Sequence, residues 1–315
     1  MTLNCMALAE FNLIKQFFTR PARRESTQLS VGDDCALLAV SEGFELAITV
    51  DTMVEGVHFF SDVDPRYLGH KLLAVNLSDL ASMGAEPVAV TLALTMPKVD
   101  ALWLDGFAQG LFALADKYAV DLIGGDTTSG PLTLTIQAMG LVPKGQALRR
   151  SVAKVGDFIY VTGRIGDAGL GLKIKQGYTS SNGRQALNRF NMPEPRIAEG
   201  LAIRSVANAC VDISDGLAAD LGHILEQSSV GATLDYQKIP VSDAVVEYVR
   251  DTQDWCMPLV AGDDYELCFT VAPENIGKLN IDCTCVGVIE QEQGLRLVHE
   301  GKVSDFIVGG FEHFS

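Results

Sequence analysis

The sequence predicts an α/β (α+β) protein of two domains: an N-terminal mixed sheet with helices, then a C-terminal α/β domain. Three observations predict it. The chain has 315 residues, long enough for two hydrophobic cores. Segments of strand and helix periodicity follow one another in the order β-β-α-β-α-β-β before any long break. A basic stretch at 143–157, PKGQALRRSVAKVGD, then shifts the composition. It places the boundary between domains 1–146 and 147–315.

The elements follow in order. Residues 7–19 put Leu8, Phe11, Ile14, Phe17 and Phe18 at helical spacing. VGDDCALLAV and FELAITVDT read as two strands. A helix is expected from Pro65 to Met83, with Asp64 as N-cap, proline at the first helical position and Gly84 as the stop. The strand PVAVTLALTMP and a helix over 101–118 come next. A short strand ending in LIGGDTT and a long one, LTLTIQAMGLV, complete the first half. The second half opens on the strand DFIYVTG. Helices are expected near 167–176, 195–208 and 214–228, and strands near 231–235, 265–271 and 283–289.

Composition excludes several functions. The hydrophobic share of 48% with 20% charged residues is that of a globular chain. The apolar runs are far shorter than the ~20 residues of a membrane span, and no signal peptide is visible. A net charge of −16 argues against nucleic acid as a partner. Seven scattered cysteines, an odd number, read as reduced thiols in the cytoplasm. Cys283 and Cys285 form a CxC that no second motif completes into a zinc site.

The acidic residues are the informative feature. Aspartates sit in glycine- or threonine-bounded loops at GDD (32–34), TVDT (49–52), IGGDTT (123–128), DISDG (212–216) and AGDDYE (261–266). Any one is an ordinary turn. Five that each end or follow an apolar strand point to a site, because α/β proteins build sites at strand ends. Asp79 lies within the apolar helix LAVNLSDLASMG, on one face with Asn76. A partly buried carboxylate needs a cation or donor, and oxygen-only ligands favour magnesium or calcium. DVDPRYL lacks the glycine and glutamate of an EF-hand loop. There is no GxxxxGK[ST], and GRIGDAGLGLKI fits neither that motif nor GxGxxG. A nucleotide would therefore be held through metals rather than a phosphate-loop lysine.

Taken in order, VGDDCALL, TVDTMVEGVHF, NLSDLASMGAEP, LIGGDTT, ALRRS, DISDGLAADLGHI and GDDYELCF resemble the thiamine-monophosphate kinase family. That family belongs to the superfamily of aminoimidazole ribonucleotide synthetase and selenophosphate synthetase. The resemblance implies that superfamily's two-domain fold and a homodimer paired through the N-terminal sheets. It implies transfer of the γ-phosphoryl group of ATP to thiamine monophosphate, with several Mg2+ ions. It places Asp34, Thr49, Val50, Asp51, Asp79, Asp126, Asp212 and Asp215 in the metal shell, with Asp126, Asp79 and Arg150 closest to the chemistry. Gly125, Asp126, Arg150, Ser214 and Tyr118 fall where the family contacts nucleotide, and His58, Asp263 and Phe311 where it contacts thiamine phosphate. On the residues alone, His58 also reads as a strand-edge histidine, Arg150 as a linker charge and Phe311 as C-terminal packing.

Two positions depart from the family pattern. Val50 stands where a threonine is usual, so only its carbonyl is left to bind metal. Asp263 stands where a glutamate is usual, one methylene closer to the backbone, so a bridging water is expected there. The chemistry suits the residues. The acceptor is a phosphate with a second pKa of about 6, so no general base is required, and charge neutralisation supplies the catalysis. Two alternatives stay open: another ATP-using enzyme of the superfamily, or a non-catalytic regulator that binds magnesium or nucleotide.

Overall fold

The structure is a computed structural model that describes residues 10–306. Leu8 and Phe311 lie outside the described residues. The chain forms two compact units. One comprises the residues up to Leu80 with Pro87–Pro143, the other Ala81–Glu86 with Lys144 onward.

In the first unit, α1 (Glu10–Leu13) runs into a wider π-helical turn, Ile14–Phe18. The extra residue in that turn changes the phase of the apolar face. Leu13, Phe17 and Phe18 are buried, while Phe11, one of the residues at helical spacing, is 81% exposed. Strands β1 (Thr27–Leu29) and β2 (Leu37–Leu38) pair antiparallel. The expected strand over VGDDCALLAV is thus reduced to two residues, because the Gly-Asp-Asp segment forms a turn.

The main sheet of this unit has the order β3-β6-β4-β5. Its strands are β3 (Phe44–Val54), β4 (Glu86–Met96), β5 (Asp121–Ser129) and β6 (Thr133–Pro143). The helices are α2 (Pro65–Ser82) and α3 (Ala101–Tyr118). Asp64 accepts the N–H of Arg66 at 2.9 Å, the cap read from the sequence. Leu68, Leu72, Leu73, Leu77 and Leu80 of α2 are almost fully buried, and so are Lys71, Asn76 and Ser78. A helix buried nearly all round is a core helix. It meets α3 backbone to backbone. A β-carbon on Gly69 would lie 2.1 Å from the Phe107 carbonyl oxygen, and one on Gly110 would lie 1.9 Å from that of Arg66.

The second unit is built on a seven-stranded sheet, ordered β13-β12-β9-β11-β7-β10-β8. The strands are β7 (Phe158–Thr162), β8 (Cys210–Asp212), β9 (Gly231–Asp235), β10 (Leu267–Val271), β11 (Cys283–Glu290), β12 (Gly294–His299) and β13 (Lys302–Asp305). The helices are α4 (Asp167–Lys175), α5 (Arg184–Asn191), α6 (Ile197–Ile203), α7 (Leu217–Ser228), α8 (Asp243–Thr252) and α9 (Met257–Val260). Its core joins Ile159 and Val161 of β7, Val211 of β8 and Leu221 and Ile224 of α7, all fully buried.

The helix expected over 195–208 covers only Ile197–Ile203. Its last turn opens because the N–H groups of Val206 and Ala207 both return to the Ile203 carbonyl. Helix α5 escaped sequence reading because only Ala186 and Phe190 of its eight residues are buried. Strand β8 escaped it because it is three residues long and apolar only at its start.

Candidate active site

The first unit sets part of its candidate site on β3 and α2. Side chains alternate along a strand. The Thr49 hydroxyl donates a short hydrogen bond to the Asp79 carboxylate on α2. Two residues on, the Asp51 N–H donates to the Asn76 side-chain oxygen at 3.2 Å. Asn76 is fully buried and held in turn by its amide N–H on the Leu72 carbonyl, 2.9 Å. Thr49, Asp51, Asn76 and Asp79 therefore form one oxygen-rich group. Val50 points the other way. Its side chain is 59% exposed and continues an apolar row with Phe44, Leu46 and Ile48. A hydroxyl at position 50 would stand on the face opposite Asp79. The departure at Val50 leaves that oxygen group unchanged.

Asp126 lies on β5, paired with Ala93 of the parallel strand β4, and is exposed. Gly125 before it has φ +147°, and a β-carbon there would fall 1.8 Å from the Leu92 carbonyl oxygen. Only glycine lets the strands close here. Asp34 is exposed in the turn after Gly32, where its N–H donates to the Asp33 carboxylate at 2.8 Å. His58 is half-buried and accepts the Val54 N–H on Nδ1 at 3.0 Å. In the neutral ring that bond puts the proton on Nε2. Tyr118 ends α3. Its carbonyl accepts from the Arg24 guanidinium at 3.3 Å, and its ring lies 5.2 Å under the Lys117 ammonium.

In the second unit, two of the acidic loops are joined to each other. Strand β8 pairs with β10 in the register Asp212↔Leu267, so DISDG and AGDDYE leave the sheet side by side. Main-chain bonds run from Asp263 to Ser214, from Tyr265 to Ile213 and from Ile213 to Glu266, each 2.8 Å. Asp212, Ser214, Asp215 and Asp263 are thereby brought together. Arg150 sits half-buried in a short 3-10 turn, where its carbonyl accepts from Ser228 at 2.9 Å.

Sequence reasoning missed the residues beneath these loops. Asp220, in the first turn of α7, accepts the N–H groups of Ser214 at 2.9 Å and Asp215 at 3.0 Å. Burial pushes its carboxyl up to about 7, and the charge of Asp215 adds to the rise. Its sequence signal is an acid in the first turn after DISDG, the pattern of a helix-capping carboxylate. Asp264 accepts the N–H groups of Gly166 at 2.6 Å and Ala168 at 3.2 Å, and burial pushes it up to about 8. Glu266, fully buried, binds Arg189 at 2.7 Å and Arg196 at 2.6 Å. GRIGDAGLGLKI, which fits neither phosphate-loop motif, supplies the N–H groups that hold Asp264.

The predicted metal-shell residues divide between the units. Asp34, Thr49, Val50, Asp51, Asp79 and Asp126 belong to the first, Asp212 and Asp215 to the second. Among the described residues, no three His, Cys, Asp or Glu side chains converge as a ready metal site.

Two families match the chain. The AIR synthase related protein N-terminal domain covers residues 32–142, and the AIR synthase related protein C-terminal domain covers residues 154–300. The chain is similar to the thiamine-monophosphate kinase of Salmonella typhimurium, 46% identical over 98% of this chain and 99% of that protein. It is similar in structure to the thiamine-monophosphate kinase of Stenotrophomonas maltophilia K279a. That match has a TM-score of 0.85 and 42% identity, over 95% of this chain and 99% of the other. A structure of AaThiL complexed with AMPPCP and TMP superposes with a TM-score of 0.80 at 27% identity, over 88% of this chain and 89% of that one.

Proposed function

The chain belongs to the thiamine-monophosphate kinase family of AIR synthase related proteins, and from that membership we infer the reaction and the residues that run it. It is a kinase that uses ATP to phosphorylate thiamine monophosphate, which yields thiamine diphosphate. The observation that carries this reading is likeness over the full length to kinases of that name.

The donor set fits magnesium. The Thr49 hydroxyl, the Asp51 and Asp79 carboxylates and the Asn76 amide oxygen are hard oxygen groups gathered on two elements. We assign Asp34, Thr49, Asp51, Asp79, Asp126 and the Val50 carbonyl in the first unit to Mg2+, with Asp212 and Asp215 in the second. Bound magnesium would offset the charge of two polyanions and of the carboxylates around them.

The chain's own residues do the rest. Thr49 orients the Asp79 carboxylate. Gly125 lets β5 close on β4 next to Asp126, and we assign Gly125, Tyr118 and Ser214 to nucleotide contacts. Asp220 holds the N–H groups of Ser214 and Asp215, which fixes the loop that presents them. Arg150 supplies positive charge to the transferring phosphoryl group. His58, with its Nε2 proton, donates to the thiamine phosphate, while Asp263 and Phe311 contact the thiamine half. The acceptor phosphate is largely ionised at neutral pH, so no side chain has to take a proton from it.

The same reading makes the protein a homodimer. Phe44, Leu46, Ile48 and Val50 are 36–59% exposed on one face of the edge strand β3, and a long apolar edge needs cover. Residues 1–146 are assigned metal and ATP binding and dimerisation, and 147–315 the C-terminal α/β domain. A cytoplasmic site suits buried free thiols such as Cys210 and Cys268. Incubation with ATP, Mg2+ and thiamine monophosphate tests the reaction, with thiamine diphosphate and ADP as the products to measure. ADP with orthophosphate and no thiamine diphosphate would refute it.

A further inference from the structure

The AGDDYE loop is held in an unusual shape. Asp263 has φ +71° and Tyr265 has φ +51°, so two residues with side chains lie in the left-handed region within three positions. Such residues are uncommon, and they persist only where the surroundings over-determine them. Here the surroundings do so. The Asp264 carboxylate between them is buried and takes the Gly166 and Ala168 N–H groups. The Asp264 carbonyl takes the Arg189 guanidinium at 2.9 Å, and the same nitrogen reaches Glu266 at 2.7 Å. The main chain at 263 and 265 is pinned to Ser214 and Ile213.

One bond in this loop does not hold the main chain. The Tyr265 hydroxyl donates to Asp263 Oδ1 at 3.0 Å. The tyrosine ring is 9% exposed, so its hydroxyl is a fixed point, while Asp263 is half-buried. The bond ties the direction of a short side chain to a buried ring. Aspartate also suits the backbone: short polar side chains tolerate the left-handed region better than longer ones.

We propose that Tyr265 is a positioning residue for thiamine recognition: its hydroxyl aims the Asp263 carboxylate at the cationic, amino-bearing thiamine half of the substrate. A carboxylate suits that half and repels the phosphate half. The inference rests on the reading of Asp263 as a thiamine contact. It differs from that reading in naming a residue that touches no substrate and a bond that fixes the carboxylate's direction. Two side effects follow. The tether has no part in ATP binding, and removing the hydroxyl leaves the ring packing and the pinned backbone in place.

The test is Tyr265→Phe, with steady-state kinetics for both substrates, calorimetric binding of thiamine monophosphate and a thermal melt. Loss of a hydrogen bond to a charged group raises the KM and Kd for thiamine monophosphate roughly tenfold. KM for ATP and the melting temperature stay as in the wild type. In a Tyr265→Phe background, Asp263→Glu recovers part of the lost affinity, because a longer side chain reaches the ligand without the tether. An unchanged Kd for thiamine monophosphate in Tyr265→Phe overturns the proposal. A parallel rise in both KM values with a lower melting temperature also overturns it, since that marks a structural role. If the wild type neither binds nor phosphorylates thiamine monophosphate, the assigned reaction itself falls, which is a different result from an active wild type that Tyr265→Phe matches.

Discussion

Glu266→Gln should destabilise the second unit far more than a neutral, nearly isosteric change on a surface would. Glu266 has a side chain 1% exposed between Arg189 at 15% and Arg196 at 23%. It accepts from Arg189 at 2.7 Å, from Arg196 at 2.6 Å and 2.5 Å, and from Thr162 at 2.6 Å. In glutamine one oxygen becomes an amide donor that faces guanidinium donors, and two cations lose their counter-charge. Breaking a buried ion pair by removing one partner costs about 3–5 kcal/mol. Because both arginines keep some contact with water, the low end applies, about 3 kcal/mol. For a unit of this size that lowers the melting temperature by roughly 6–12 °C. The assay is built into the sequence, which has two tryptophans, Trp103 in the first unit and Trp255 in the second. In a Trp103→Phe background, fluorescence reports unfolding of the second unit alone. A shift below about 1 kcal/mol would mean that the ion cluster breaks even against its own desolvation, and the reasoning would fail.

Three further outcomes are expected. Asp79→Asn should lower kcat by about a hundredfold or more with the melting temperature unchanged, and full activity at limiting magnesium would remove Asp79 from the metal assignment. Ile48→Lys, on a residue 56% exposed in the apolar row of β3, should yield a monomer in sedimentation equilibrium; a persistent dimer would place the interface elsewhere. Burial pushes the Asp264 carboxyl up to about 8 in the folded chain, well above the ordinary aspartate range of about 4. The unfolded chain therefore gives up this proton first as pH rises, and the group's contribution to stability is lost between about pH 4 and pH 8. Asp264→Asn should flatten the pH dependence of urea unfolding across that window, and an unchanged slope would contradict the assignment.

The long elements were legible because their periodicity is strong and their ends are chemically marked. Helix α2 begins where Asp64 and Pro65 mark its start, and β3 to β6 follow their apolar runs. What escaped was set by tertiary contacts. Phe11 has the right spacing for the core, but a π-helical turn gives the inner place to Leu13. Helix α5 carries Arg189 and reads as a polar loop, since its role is to bring a cation to a glutamate 77 residues away. The candidate site shows the same division. The ordered acidic motifs name the groups that would meet metal and substrate. Asp220, Asp264 and Glu266, which hold those groups, look like ordinary acids until the pairing of β8 with β10 places them. The direction of Val50 follows from strand alternation alone, yet it needed the Thr49–Asp79 bond to say which face is which.

Strand β3 has no spare letter. Between Phe44 and Asp51 its even positions form the bare apolar row and its odd positions include the partners of α2. Insertion or deletion of one residue there would exchange the two sets. The hydroxyl and carboxylate would turn outward, and valine and isoleucine would be delivered to Asn76 and Asp79. Inserting or deleting a single codon there would therefore disrupt the oxygen-rich group and the exposed apolar row together.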